Sequence, residues 1–225
     1  MGRVTVAAAA SLAVASLIVS PSWVLASSSQ ATRPGCARGY SYAGFASREG
    51  VRGVAASLTA TELPTVASGH AAAWIGVGGV HEGLGGANEW LQAGIAAFPQ
   101  TGLRLYVEEV SRGFPRRFVD VGPASRDHNY RIQVVEEARD LWLATIDGRV
   151  AGGPAYLPTG GGPWRAVTTT ESWAAGRSTC NRYSYRFDNL SVLSGVSWQT
   201  PAGFDRLGGP AARVTGGAAG FSAVS

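Results

Sequence analysis

Two polar side chains sit where the pattern calls for strand interiors. Gln92 lies in Glu89-Trp90-Leu91-Gln92-Ala93-Gly94-Ile95, and with Leu91 and Ala93 packed one way it projects the other way, alongside Trp90. Glu171 follows a β-branched run in Val167-Thr168-Thr169-Thr170-Glu171-Ser172-Trp173. A carboxylate flanked by aromatics on a groove face is partly desolvated, and its basicity can be tuned for acid/base work. Glu108 is a third candidate, one position beyond the Tyr106-Val107 pair. Other chemistries are excluded by spacing. His70, His81 and His128 are the only histidines, and His81-Glu82 lacks the second histidine of a zinc-protease helix. Gly39-Tyr40-Ser41-Tyr42-Ala43 misses the last glycine of a nucleophile elbow. No phosphate loop or dinucleotide fingerprint is present, and the glycine-rich run 78–86 precedes a strand rather than a helix. No metal and no cofactor are expected.

The elements that must hold these residues are strands. Ala72–Val77, Glu89–Phe98, Leu103–Val110, Tyr130–Ala138, Leu141–Ile146, Trp164–Trp173 and Tyr183–Leu193 alternate or run apolar between Gly, Pro, Asn and Asp punctuation. In Leu103–Val110 the leucines and Val107 share one face, and Arg104, Tyr106 and Glu108 share the other. Asp147-Gly148 reads as a hairpin turn. No helical period persists beyond two turns. Many short antiparallel strands predict an all-β fold, a two-sheet β-sandwich of the jelly-roll, concanavalin A-like kind.

Composition agrees and narrows the partners. The chain has 225 residues, 45% hydrophobic and 15% charged, with 31 Gly. All 19 basic residues are arginines and the formal net charge is +4, yet only Arg116-Arg117 are adjacent. Scattered charge makes no nucleic-acid footprint. Residues 1–26 read as a signal peptide: Arg3, then the apolar run Val4 to Val19, then Val24-Leu25-Ala26 as the cleavage site. Export predicts a secreted, extracellular protein with no membrane span after cleavage. It also predicts a disulfide between Cys36 and Cys180, stabilising by ~4–5 kcal/mol in the chain-entropy model and setting the first and last strands side by side. The expected organisation is a flexible leader at 27–35, a sandwich domain at 36–200, and a Gly/Ala-rich tail at 201–225 that is loosely ordered or adds at most one edge strand.

The order of the pieces resembles a family. Ala73-Trp74-Ile75-Gly76-Val77, Leu91-Gln92-Ala93-Gly94-Ile95, Tyr106-Val107-Glu108, Ile132-x-Val134 and Gly148, Thr170-Glu171 and Tyr185-x-Phe187-x-Asn189 together resemble the glutamic peptidases, the eqolisin family, over roughly residues 70–193. The resemblance implies a secreted β-sandwich that hydrolyses peptide bonds at acid pH, with Gln92 and Glu171 as its dyad. Trp74, Trp90, Tyr106, Glu108 and Trp173 line the substrate groove in this reading, the partner is a polypeptide, and the protein is a monomer. Two positions depart from the family pattern: Gly78 stands where an acidic residue is usual, and Ser172 separates Glu171 from Trp173, a spacing that a shift of strand register would explain. Two other classes fit the same residues. One is a jelly-roll glycosidase using Glu108 and Glu171. The other is a non-catalytic lectin-like module that binds glycan or peptide by stacking on Trp74, Trp90, Tyr106 and Trp173.

Overall fold

The apolar run that marks Ala72–Val77 as a buried strand belongs to a strand from His70 to Gly79 in the computed structural model, which describes residues 39–158, 163–176, 180–208 and 212–225. The strands are β1 (Tyr40–Val51), β2 (Gly53–Ala60), β3 (His70–Gly79), β4 (Glu89–Phe98), β5 (Gly102–Val110), β6 (Arg117–Pro123), β7 (Tyr130–Ala138), β8 (Leu141–Ile146), β9 (Arg149–Tyr156), β10 (Trp164–Trp173), β11 (Ser184–Ser194), β12 (Ser197–Gln199), β13 (Phe204–Gly208), β14 (Arg213–Gly217) and β15 (Gly220–Val224). One sheet has the order β13-β1-β10-β3-β4-β5-β6, the other β14-β15-β11-β2-β7-β8-β9, with β12 beside β11. Every pairing between these strands is antiparallel. The chain is a two-sheet antiparallel β-sandwich.

Period-two patterning decides which face each sheet presents to the other. Ile75, Leu91 and Ile95 from one sheet are fully buried in the same core as Leu58, Ile132 and Phe187 from the other. Burying each such side chain contributes about 1.5–3 kcal/mol. The opposite face of the first sheet carries a second, smaller apolar cluster, Ala72, Trp74, Ala96 and Tyr106, with Phe98 and Val167 against it. An outer face with its own apolar floor is the setting of a cleft. The expected hairpin between β8 and β9 is present, with Asp147 and Gly148 both at positive φ (50° and 75°) as a type I′ turn requires.

Three expectations are corrected. The described residues of 201–225 are not a loose tail: β13 pairs with β1, β15 pairs with β11, and β14 closes a hairpin on β15. The large residues hidden in that Gly/Ala composition explain it. Phe221 stacks on Phe187 at 4.4 Å and meets Phe45 edge-on at 5.0 Å, while Val214 and Ala223 are buried beside it. The first strand and the last long one are not side by side either, since β1 lies between β13 and β10 in one sheet and β11 lies in the other. Finally, the pairing of β10 with β1 and β3 runs without a shift through Thr170, Glu171, Ser172 and Trp173. Alternation therefore puts Glu171 and Trp173 on one face and Ser172 on the core side, where it is buried against Asn181 Nδ2 at 3.3 Å. The expected signal peptide, the leader and Cys36 lie outside the described residues.

Candidate functional site

Four neighbouring strands build the site, in the order β10-β3-β4-β5. Their outward positions are Val167, Thr169 and Glu171 on β10, Ala72, Trp74 and Gly76 on β3, Gln92, Gly94 and Ala96 on β4, and Tyr106 and Glu108 on β5. Gln92 stands directly opposite Glu108 on one side and Gly76 on the other. Two glycines make room for the large groups. A Cβ on Gly76 would lie 2.8 Å from Gln92 Cβ, and one on Gly94 would lie 2.8 Å from Trp74 Cβ. Nearer still are carbonyl oxygens of the adjacent strands, Leu91 at 2.5 Å from the first and Ala73 at 2.0 Å from the second, so substituting either would force the strands beneath these side chains apart.

Gln92, Glu108 and Glu171 line two adjoining cavities, of about 400 Å³ and about 280 Å³, and Arg116 reaches into both from the connection between β5 and β6. Trp74 and Trp90 wall the larger one, and Tyr106, Phe98 and Phe118 wall the smaller. Trp173 lines neither cavity; it stacks on Tyr40 at 5.8 Å and packs against His70 at 5.8 Å.

Each polar group at the floor has a defined partner. Glu171 accepts from Trp74 Nε1 at 3.1 Å on one oxygen and meets His70 Nε2 at 2.7 Å on the other. Glu108, also buried, accepts from Trp90 Nε1 at 3.2 Å and from Arg116 Nε at 2.9 Å. Gln92 Nε2 donates to the Tyr106 hydroxyl at 3.3 Å. An amide nitrogen carries two protons, so a second donor remains for the cleft. Burial, followed by the negative charge of Glu171, pushes the Tyr42 and Tyr106 phenols well above their ordinary range. Both stay protonated at acid and neutral pH. The hydrogen bond to Glu108 raises Arg116 further still, so the cation at the cleft mouth is permanent.

Gly78 has its own explanation. Its φ is 82°, and a Cβ there would fall 2.3 Å from the Glu89 carbonyl oxygen, so this backbone path leaves no room for an acidic side chain. The sequence reading did not single out His70, Tyr42 or Arg116. Strand phase points to the first two: His70 is in step with Ala72 and Trp74, and Tyr42 is paired opposite Glu171. Arg116 lies on a connection, where no period marks it.

The sandwich is similar in fold to solved glutamic peptidases. The chain matches scytalido-glutamic peptidase bound to a peptide-based transition-state analogue, with a TM-score of 0.57 and 12% identity, over 82% of this chain and 97% of that one. It matches SCP-B, a member of the eqolisin family of peptidases in complex with the tripeptide Ala-Ile-His, with a TM-score of 0.53 and 11% identity, over 81% of this chain and 96% of that one. What is shared at these identities is the fold. No family model and no curated protein matches the chain.

Proposed function

We propose that this protein is an exported peptidase that cleaves polypeptides at acid pH with Glu171 as general base and Gln92 as oxyanion donor. The observation that carries the reading is the meeting of Gln92 and Glu171 in the same two cavities, on one face of a sandwich with the glutamic peptidase fold. Glu171 takes a proton from water as its oxygen bonds to the scissile carbonyl carbon. The free N–H of Gln92 donates to the oxyanion that forms. Glu171 then returns the proton to the amine nitrogen as the C–N bond breaks. Gln92 serves at acid pH because its amide stays uncharged there. The apolar leader with its cleavage site supports export.

The partners of the two carboxylates weigh against a glycosidase. Its general acid has to hold a proton at rest, whereas Glu108 accepts from both Arg116 and Trp90, and Glu171 accepts from Trp74. A stacking module fits poorly as well, since Tyr106 is buried under Phe118, stacked on it at 5.2 Å.

The test is cleavage of a denatured protein from about pH 2 to about pH 7 by wild type, Gln92→Ala, Glu171→Ala and Glu108→Gln. Loss of a general base costs about 10²–10⁴-fold, and loss of an oxyanion donor about 10²–10³-fold. The reading expects both losses and an acid optimum. Wild type without activity at every pH ends it.

A further inference from the structure

The partner of Glu171 across the strands is Ala72, and the two residues that grip its carboxylate, His70 and Trp74, stand two positions to either side of that alanine on β3. Diagonal neighbours of this kind are about 7–8 Å apart at the backbone, within reach of long side chains. The small Ala72 leaves the carboxylate space to lie over β3 between them. His70 Nε2 meets Oε1 at 2.7 Å and Trp74 Nε1 donates to Oε2 at 3.1 Å. With Glu171 ionised the carboxylate only accepts, so the His70 proton lies on Nε2. Each oxygen then spends one lone pair on β3 and keeps another for the cleft. One donor alone would let the carboxylate swing about its last torsion, whereas two fix its plane.

His70 is itself held. Its ring packs against Trp173 at 5.8 Å, Tyr40 at 6.0 Å and Phe98 at 6.0 Å, and its backbone carbonyl accepts from Asn181 Nδ2 at 3.0 Å. The His70 and Glu171 side chains are only 16% and 12% exposed, so water competes little for this contact. Tyr40 and Tyr42 on β1, Glu82 on the connection between β3 and β4, Tyr106 and Glu108 on β5, Arg116 beyond it and Arg165 on β10 are the other titratable or charged groups that line the two cavities with His70 and Glu171. Among the hydrogen bonds described, those to its carboxylate come from His70 and Trp74.

We infer that His70 is a positioning residue that holds the Glu171 carboxylate facing the cleft. It acts through Glu171, and the inference rests on the reading of Glu171 as the base. The sequence of Trp74, Glu171 and His70 makes the carboxylate's orientation a property of β3.

The test uses the full mature chain. His70→Phe keeps an aromatic ring in the same packing and removes the donor; His70→Gln keeps an N–H donor; His70→Asn is too short to reach. A hydrogen bond to a charged group is worth about tenfold to a hundredfold in rate. Expected are a fall in kcat of that size for His70→Phe and His70→Asn with KM within about twofold, and kcat within about fivefold of wild type for His70→Gln. Should one loss variant fail to fold, the other carries the measurement. Full kcat in a folded His70→Phe or His70→Asn, in an active wild-type background, overturns this inference and leaves the peptidase reading standing. An inert wild type overturns the peptidase reading and this role with it.

Discussion

Glu89 is fully buried, and it links the two loops at the mouth of the cleft. Its Oε1 accepts from the Arg112 backbone N–H at 2.8 Å and its Oε2 from that of Leu84 at 3.2 Å. Those loops carry Glu82 and Arg116, which line the larger cavity. Gly83 packs so closely that a Cβ there would lie 2.1 Å from Glu89 Oε2. Replacing Glu89 by Ala removes both acceptors. A hydrogen bond to a carboxylate is worth about 1.5–3 kcal/mol. Both ends count for less than a fully buried bond, because Arg112 and Leu84 are exposed residues and water can replace the acceptor. The buried methylenes and the void they leave add about 1 kcal/mol. The expected loss for Glu89→Ala is therefore about 3 kcal/mol. Glu89→Gln keeps the shape and one acceptor but turns an N–H toward one amide, for about half that loss. Urea unfolding of the three proteins measures it, as a lower midpoint at unchanged slope. A loss below about 1 kcal/mol for Glu89→Ala would refute the reasoning, since the buried methylenes and the void they leave account for about that by themselves.

Further predictions follow from the same geometry. Tyr106→Phe removes the hydroxyl that Gln92 donates to, and a neutral hydrogen bond of this kind is worth about 0.5–1.5 kcal/mol, so kcat should fall about threefold to tenfold with little change in KM; an unchanged kcat would show that Tyr106 does not orient the amide. The raised phenols of the buried Tyr106, Tyr183 and Tyr185 keep their protons in the folded state where the unfolded chain releases them. The unfolded state then binds fewer protons, so stability holds below about pH 10 and falls as pH rises beyond it; ultraviolet titration should find these three ionising together with unfolding, and their independent ionisation in the folded protein would contradict this. Thiol titration of the denatured, unreduced mature protein should find no free thiol if Cys36 and Cys180 are paired on export; two reactive thiols would count against the pairing.

How much of this was legible in the sequence depends on what each residue's neighbours are. The seven strands read from alternation or apolar runs are all present, because a buried sheet face imposes period two along the chain itself. The strands Tyr40–Val51 and Gly53–Ala60 drew no such reading, and Gly53–Ala60 is buried at every position, so it has no polar phase to show. The tail strands were missed because Phe221 and Val214 sit among glycines and alanines that carry no period. Gln92 and Glu171 were visible as polar residues out of keeping with their strands. His70 was not, since its link to Glu171 depends on β3 lying against β10, a pairing between residues 101 positions apart. Arg116 was hidden for a similar reason, as its meaning comes from Glu108 on the neighbouring strand.

The central claim is that Gln92 and Glu171 act on one peptide bond together. The most direct measurement is a crystal structure of the mature protein with a peptide whose scissile carbonyl is replaced by a tetrahedral hydroxyl-bearing centre. The account predicts the peptide along the face of β10-β3-β4-β5, with oxygens of that centre within hydrogen-bond distance of both the Gln92 amide nitrogen and the Glu171 carboxylate. A peptide seated elsewhere, or touching one of the two and not the other, would contradict it.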